Sequence, residues 1–234
     1  MDSSPIRAVD TASSLAVSVI RGGRGMYASA VAPAAQPLEL YEYEACPYCR
    51  KVREVLSELD LEYVSRASAK GSAKRADLEK AQFPYLVDPN TGTRLYESER
   101  IIDYLMQTYG SGRSDVSRWL SPLNTAGAAV ASATRLRGRR VKRPRVVQPT
   151  KMLVLYNYEA SPYCRKVREV LCELDLDAHI KNVARKSERR PELIEQGGKM
   201  QVPYLIDPNT GVAMYESAEI IEYLRSTYAL TSSS

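Results

Sequence analysis

The sequence predicts an α/β protein made of two tandem copies of one β-α-β-α-β-β-α unit, and an internal repeat carries this prediction. Residues 38–61 and 153–176 agree at 20 of 24 positions, and residues 84–109 and 203–228 agree at 17 of 26. The first pair is offset by 115 residues and the second by 119, so the second copy has four extra residues between the blocks. Agreement at this level, in the same order, indicates a duplication.

Each copy is predicted to begin with a strand and a helix. The segments LELYEY (38–43) and LVLYNY (153–158) alternate in the manner of strands. Pro47 suits the first turn of a helix, and apolar residues then recur at helical spacing. These residues are Cys49, Val52, Val55, Leu56 and Leu59 in the first copy and Cys164, Val167, Val170, Leu171 and Leu174 in the second.

The rest of each copy is predicted to contain a second strand, a polar helical segment, a buried strand paired in a hairpin, and a closing amphipathic helix. The sequence D-P-N-T-G, at 88–92 and 207–211, is a strong turn signal for that hairpin. The second strand, the buried strand and the closing helix are expected at 62–65, 85–87 and 98–109, and again at 178–183, 204–206 and 217–228.

The composition is that of a globular protein. Of 234 residues, 44% are hydrophobic and 26% charged, the net charge is +5, and no apolar run is long enough to cross a bilayer. Four cysteines are too few for a disulfide framework, which favours a reducing compartment. The N-terminal residues lack a secretory signal, so we expect a cytoplasmic protein, with an organellar stroma or matrix left open.

Three ordered motifs are present in both copies. They are C-P-Y-C (46–49) or S-P-Y-C (161–164), F-P-Y-L (83–86) or V-P-Y-L (202–205), and Y-E-S (96–98 and 215–217). In this order they resemble the motifs of glutaredoxins and of the N-terminal domain of soluble glutathione transferases. The resemblance implies two tandem thioredoxin-like (βαβαββα) domains that bind glutathione. A full transferase continues after this domain into an all-helical domain. Residues 110–151, between the copies, are too few to form one, so we expect that domain to be absent.

The resemblance also implies a role for each matching residue. Pro84 and Pro203 should be cis, with the backbones of Phe83 and Val202 pairing with the cysteinyl part of glutathione. The γ-glutamyl end should be held by Glu97 and Ser98, and in the second copy by Glu216 and Ser217. Tyr48 and Tyr163 should flank the sites. A simpler interpretation makes Ser98 and Ser217 helix caps, and both roles are compatible because a cap position is also an anion site.

In the first copy Cys46 is the candidate nucleophile. It lies just before a helix whose dipole stabilises a thiolate, and we expect Arg50 and Lys51 to add positive charge. Cys49, one turn further on, would resolve the mixed disulfide or leave that step to glutathione. The alternatives are an inert buried pair or half of a zinc site; the sequence offers no second ligand pair, so no metal is predicted.

The second copy has Ser161 where the nucleophile should be, and serine cannot carry out thiol–disulfide exchange. Ser161 would hydrogen-bond the glutathione thiolate, or the copy binds glutathione without chemistry, or it is a degenerate repeat kept for packing. Cys164 is expected to belong to the core face of its helix. Cys172 lies off that stripe and is expected to be a thiol at the surface or rim.

The predicted domains are residues 37–111 and 152–230, after an N-terminal extension (1–36) and a basic linker (112–151). Segments 13–25 and 128–140 match at the offset of 115, which suggests short helices that cross to the other copy. Residues 135–145 contain seven basic residues and no acidic one. We interpret them as a solvated linker and consider nucleic acid an improbable partner, since no aromatic residue is interleaved for base stacking.

The leading functional hypothesis is a glutaredoxin-type oxidoreductase, with glutathione and a disulfide or glutathionylated protein as partners. The two domains would pack as a pseudo-dimer. The alternatives are a non-catalytic glutathione-binding or interaction protein and a transferase-like enzyme.

Overall fold

The computed structural model describes residues 25–28, 32–111 and 137–230. The first copy contains β1 (Leu38–Glu42), α1 (Pro47–Glu58), β2 (Tyr63–Ala67), β3 (Tyr85–Asp88), β4 (Thr93–Tyr96) and α2 (Ser98–Thr108). The second contains β5 (Leu153–Asn157), α3 (Pro162–Glu173), β6 (Ala178–Asn182), α4 (Arg190–Gly197), β7 (Tyr204–Asp207), β8 (Val212–Met214) and α5 (Ser217–Tyr228). The predicted thioredoxin-like order is confirmed, with one difference.

The polar segment before the cis proline is a helix in only one copy. The second copy forms α4, which has a proline in its first turn and ends at Gly198 with φ +78°. In the first copy the prediction of a helix is wrong, because only a 3₁₀ turn forms, at Ala73–Arg75. The first copy is four residues shorter here and has neither the proline nor the left-handed glycine that begin and end α4.

All eight strands form one sheet, in the order β4-β3-β1-β2-β6-β5-β7-β8. Within each copy the first two strands are parallel and the others antiparallel. The copies join where β2 pairs antiparallel with β6, in a register that sets Val64 opposite His179. No sequence pattern predicted this pairing, since a strand edge carries no mark of its partner.

The apolar faces of the helices lie on this sheet. Val52, Leu56 and Leu105 are fully buried in the first copy, as are Val167 and Leu224 in the second. Each hairpin turn is held by its aspartate, because the Asp88 carboxylate accepts the Asn90 N–H at 2.8 Å and the hydroxyl groups of two α2 tyrosines at 2.6 Å. The turn signal and the helical periodicity are therefore both confirmed.

The segments that precede the copies cross to the opposite copy. Ala28 donates to the Arg185 carbonyl at 2.7 Å, next to β6. Val141 donates to the Lys70 carbonyl at 3.0 Å, next to β2. The predicted crossover is thus present at the described ends, while the predicted helices at 13–24 and 128–136 lie outside the described residues.

Two glycines show which residues of the two crossover segments occupy equivalent positions. Gly25 and Gly138 both have positive φ, +75° and +71°, and an added Cβ would meet Glu159 at 3.1 Å or Glu44 at 3.1 Å. The equivalent glycines are therefore 113 residues apart, so the offset of 115 predicted for this segment is wrong by two residues. A glycine is needed because backbone and close neighbours leave no room for a side chain.

Candidate functional site

The first candidate site is built at the N-terminus of α1. Cys46 is the N-cap residue, and its Sγ accepts a hydrogen bond from the Cys49 N–H at 3.3 Å. Pro47 lies in the first turn, where its missing N–H removes no helical hydrogen bond. Cys46 is only 2% exposed, and Cys49 is completely buried. The Cys46 sulfur thus lies at the positive end of the helix dipole.

The two thiols have opposite pKa shifts. A hydrogen bond from the Cys49 thiol is the largest cause that lowers the pKa of Cys46, and backbone N–H groups and the charge of Arg53 add to it against the effect of burial. Burial is the largest cause that raises the pKa of Cys49 well above its usual range. The pair therefore favours a thiolate at Cys46 and a protonated thiol at Cys49.

The cations expected beside Cys46 point elsewhere. Arg50 faces two buried carboxylates, Glu44 at 3.8 Å and Glu159 at 3.6 Å. Lys51 forms an ion pair with Glu99 of α2. Arg50 and Lys51 are thus engaged by carboxylates, and the charge of Arg53 contributes to the lowered pKa of Cys46.

The proline motif lies beside this thiol. The Phe83–Pro84 and Val202–Pro203 bonds are both cis, as the resemblance implies. The Phe83 ring lies 6.0 Å from that of Tyr43, whose carbonyl accepts the Cys46 N–H at 3.1 Å. The proline motif of the first copy is thus connected to Cys46 through Tyr43.

Sequence reasoning missed an arginine in each site. The Arg75 guanidinium lies 4.5 Å from the centre of the Phe83 ring, and its Nε donates to the Ser68 carbonyl at 2.9 Å. Its equivalent, Arg190, donates in the same way to the Ala184 carbonyl at 3.1 Å. The signal was available, because the two arginines are 115 residues apart and match at the offset of the first repeat block, as do Ser72 and Ser187 in the same segment.

The Glu-Ser motif stands at the start of each closing helix. Glu97 and Glu216 are the N-cap residues, with φ of 72° and 66° and no side-chain cap hydrogen bond. Ser98 and Ser217 are buried and are the first helical residues. The interpretation of the serines as caps is therefore wrong by one position. The uncapped N–H groups of the first turn can receive a carboxylate.

The second copy reproduces the geometry with oxygen in place of sulfur. Ser161 is the N-cap of α3, and its Oγ accepts the Cys164 N–H at 3.3 Å. Cys164 belongs to the core, as predicted, and burial raises its pKa. Tyr48 and Tyr163 occupy matching positions on the two helices and are about half exposed, at 48% and 46%.

A cavity of about 810 Å³ adjoins the second site, between α3 and α5. Its lining includes Tyr163, Lys166, Glu216, Ser217 and Arg225. At the position of Glu99, which pairs with Lys51 in the first copy, the second copy has Ala218. The two sites therefore differ in the charge beside the closing helix as well as in the nucleophile.

A family model described as "Glutathione S-transferase, N-terminal domain" matches residues 40–114 and 155–232, which together are more than half of the chain. The chain belongs to this family. It carries the glutathione S-transferase N-terminal domain twice, and neither copy is followed by an all-helical domain within the described ranges.

Two similar proteins carry related names. The chain is 31% identical over 70 residues to tpcF, a glutathione S-transferase-like protein of Aspergillus fumigatus, covering 30% of this chain and 31% of that protein. It thus spans about a third of that relative's length. TDR1, a trimeric glutathione transferase of Leishmania, matches with 15% identity and a TM-score of 0.30, over 85% of this chain and 68% of that structure.

Where the two transferase-type copies meet, charged side chains are buried. This interface ion cluster consists of Glu42, Glu44, Arg50, Arg53, Asn157, Glu159, Arg165 and Arg168. Arg53 Nε lies 3.0 Å from Glu159, and Arg168 Nε lies 2.9 Å from the equivalent Glu44. Each of these contacts joins α1 or α3 to a carboxylate of the other copy, so the cluster ties the two sites together.

Cys172 is a further correction. We expected it at the surface or rim, but it is 4% exposed and packs with Ala67 and Ala69 of the first copy, with Tyr43 and Val141 alongside. Burial is the largest cause that raises its pKa. The periodicity of α3 could not show this, because the face that buries Cys172 is the one that meets the other copy.

Within the described residues, no group of histidine, cysteine and carboxylate side chains is placed to hold a metal ion. None of the described helices has the length and apolarity to cross a membrane.

Proposed function

We propose that the first copy is a glutathione-dependent thiol–disulfide oxidoreductase, with Cys46 as nucleophile and Cys49 as resolving thiol. The observation that carries this proposal is the position of Cys46, whose Sγ accepts the Cys49 N–H at 3.3 Å at the N-terminus of α1. Such a position stabilises the thiolate, which is the reactive form. The lowered pKa of Cys46 supports the same assignment.

The proposed reaction begins on a glutathionylated thiol. The Cys46 thiolate attacks the glutathione sulfur, the disulfide breaks, and the substrate leaves as a thiolate that takes a proton from water. The bond formed joins Cys46 to glutathione. A second glutathione then attacks this mixed disulfide, which releases oxidised glutathione and restores Cys46. Alternatively Cys49 loses its proton to the departing glutathione and closes a Cys46–Cys49 disulfide.

Both copies would bind glutathione through the same parts. The backbone beside the cis proline, at Phe83 or Val202, would pair with the cysteinyl part. The free N–H groups at Ser98 or Ser217 would receive the γ-glutamyl carboxylate, with Glu97 or Glu216 at its amine. Arg75 and Arg190 add a cation on the opposite side of each site. Tyr48 and Tyr163 would cover the tripeptide.

We propose further that domains 37–111 and 152–230 act as an internal pseudo-dimer. The pairing of β2 with β6 and the reciprocal contacts of Arg53 and Arg168 support this. All four cysteines are free. Free thiols fit a reducing compartment, such as the cytoplasm or an organellar stroma or matrix.

The test is a glutathione-coupled reduction assay on a glutathionylated peptide, with Cys46→Ser and Cys49→Ser as variants. We expect no turnover with Cys46→Ser, because no other thiol of the first site has a lowered pKa. Cys49→Ser should retain the route through free glutathione. Turnover that survives Cys46→Ser would refute the assignment; Cys172→Ser serves as the control for loss of an unrelated thiol.

The cavity of about 810 Å³ favours one second candidate, a transferase-like activity at the second copy. There Ser161 would hydrogen-bond the glutathione thiolate while an electrophile occupies the cavity. A conjugation assay with a chloronitrobenzene, comparing Ser161→Ala with the unmodified chain, tests it. Glutathione binding by calorimetry without turnover in either assay would instead indicate the non-catalytic binding protein.

A further inference from the structure

Three exposed cations from two distant segments meet beside the first site. Lys70 follows β2, while Arg139 and Arg140 belong to the crossover segment that precedes the second copy. Lys70 donates to the Arg139 carbonyl at 2.9 Å, and these backbone contacts hold the three residues together. No acidic side chain of the described ranges pairs with any of them. We name Lys70, Arg139 and Arg140 the crossover patch.

The crossover patch lies close to the proposed nucleophile. Val141, the next residue along the crossover, packs beside Tyr43 in the small cluster around Ala67 and Ala69. The Tyr43 carbonyl accepts the Cys46 N–H at 3.1 Å. Arg75, whose Nε donates to the Ala69 carbonyl at 3.1 Å, connects the loop that carries Lys70 to the same tyrosine. The crossover patch is therefore linked through Tyr43 and Arg75 to the residues beside Cys46.

The crossover at the second copy, as far as it is described at residues 25–28, has no cation at the equivalent positions. Met26 and Tyr27 stand where Arg139 and Arg140 stand, and they pair with Arg185 in place of Lys70. The Arg185 guanidinium lies 5.7 Å from the centre of the Tyr27 ring and donates to its hydroxyl. Within the described residues, the pair Arg139 and Arg140 therefore has no cationic counterpart at the equivalent positions of the other crossover.

We propose that the crossover patch docks an acidic polypeptide segment that flanks the disulfide or glutathionylated cysteine attacked by Cys46. This inference rests on the proposed oxidoreductase function and names its substrate class. Unpaired cations around a site attract a segment of opposite charge and raise its encounter rate. Nucleic acid fits less well, because the patch has three cations and no exposed aromatic ring for base stacking.

The test measures binding with the Cys46→Ser protein, so that no turnover is required. Two glutathionylated peptides of equal length, one with aspartates around its cysteine and one with serines, are titrated by fluorescence anisotropy. The variant is Arg139→Glu/Arg140→Glu. Its matched control is Arg185→Glu/Lys186→Glu, which makes the same change of charge at the second copy on exposed residues.

We expect the first variant to weaken binding of the acidic peptide roughly tenfold at low salt, and less at about 0.15 M salt, where exposed charges are screened. The control variant should bind the acidic peptide with an affinity within about twofold of that of the Cys46→Ser protein. Its exposed charges lie at the second copy and should contribute little to binding at the first. Equal losses in both variants, or no loss in either, would overturn the proposal. So would tighter binding of a single-stranded RNA than of the acidic peptide at this patch.

The two proposals fail separately. If the acidic peptide binds through the patch while the unmodified chain reduces no disulfide, docking stands and the oxidoreductase function falls. If the chain reduces disulfides while Arg139→Glu/Arg140→Glu leaves binding and turnover of the acidic peptide unchanged, docking falls alone. Turnover of a small glutathionylated thiol by that variant, with Cys46 present, shows that its fold is intact.

Discussion

The two copies build the same helix N-terminus, and the residue that caps it differs in one atom. Cys46 Sγ and Ser161 Oγ each accept the N–H three residues on, both at 3.3 Å. Each helix continues with the same residues through Pro-Tyr-Cys-Arg-Lys-Val-Arg-Glu-Val-Leu. Thiol chemistry can therefore be lost at a site while its backbone geometry is kept.

The remaining differences lie beside the sites and in the buried contact between the copies. Glu42 of the first copy corresponds to Asn157, and Glu99 corresponds to Ala218. The contacts between the copies, in contrast, are reciprocal, since Arg53 and Arg168 each reach the carboxylate of the other half. A second copy that carries half of a buried ion cluster cannot be removed without exposing the first half.

The sharpest test of this comparison restores sulfur to the second copy. In the Cys46→Ser background, Ser161→Cys should regain disulfide reduction to within roughly tenfold of the rate of the unmodified chain. A tenfold difference in rate corresponds to about 1.4 kcal/mol in the activation barrier. The new thiol would accept the same N–H as Cys46. A coupled reduction assay with mass spectrometry of the mixed disulfide measures it. Ser161→Ala in the same background is the matched control and should stay inactive.

An inactive Cys46→Ser/Ser161→Cys protein that forms no mixed disulfide would break the comparison. The lost chemistry would then depend on the surroundings as well as on the sulfur. The differences at Asn157 and Ala218 would be the first to examine.

The parts of the fold that sequence predicted are those with local causes. Helical periodicity, the Asp88 and Asp207 turns and the prolines at the helix starts each act over a few residues. The candidate site could be predicted because its three motifs occur at fixed positions in the order of strands and helices. Arg75 and Arg190 were missed because basic residues of a polar segment are normally solvated and no local pattern marks these two.

The contacts between the copies could not be predicted in this way. Arg50 and Arg53 lie on the helix face opposite the apolar stripe, where arginine is normally solvated. Burial of that face becomes apparent only when the other copy supplies Glu159. The positions of Cys172 and of the crossover segments have the same origin, because both depend on residues more than 60 positions away.

The interface ion cluster predicts a large and equal loss of stability in the two copies. Glu44→Gln and Glu159→Gln should each lower the free energy of unfolding by about 3–5 kcal/mol, because each removes one of the three carboxylates that balance the four buried arginines of the cluster. Urea unfolding measures the loss. Glu195→Gln, on an exposed position of α4, is the control and should change little. A loss confined to one of the two glutamates would show that the reciprocal contacts are unequal in energy.

The same carboxylates predict an acid-sensitive fold. Burial raises the pKa of Glu44, but the charges of Arg168, Arg53 and Arg50 outweigh it and lower the pKa to about 2. Glu159 is lowered in the same way. Because the folded pKa lies below the ordinary value of 4.5, this stabilisation is present above pH 4.5 and is lost as the pH falls towards 2.

Urea unfolding at a series of pH values between about 7 and 3 checks this. The free energy of unfolding should fall with pH below about 4.5, and it should fall less in Glu44→Gln, which has one such carboxylate fewer. A curve that is flat down to pH 3 would mean that the cluster does not hold these carboxylates ionised.

The smallest loss of stability is expected at Glu42, the position of the interface ion cluster where the second copy has Asn157. Glu42 accepts from Arg53 and from Ser65, the latter at 2.9 Å, whereas Asn157 accepts from Arg168 with an amide oxygen. Burial raises the pKa of Glu42, so its charge is the least favoured of the three carboxylates. Glu42→Gln should therefore cost no more than about 1 kcal/mol, the value of one exchanged hydrogen bond.

Urea unfolding of Glu42→Gln and Glu44→Gln, measured together, shows whether Arg53 tolerates a neutral partner as Arg168 tolerates Asn157. A loss as large as that of Glu44→Gln would mean that Arg53 needs a charged partner where Arg168 does not. Asn157→Asp is the reverse variant. It should be similarly mild, because Arg168 can donate to a carboxylate at this position as Arg53 donates to Glu42.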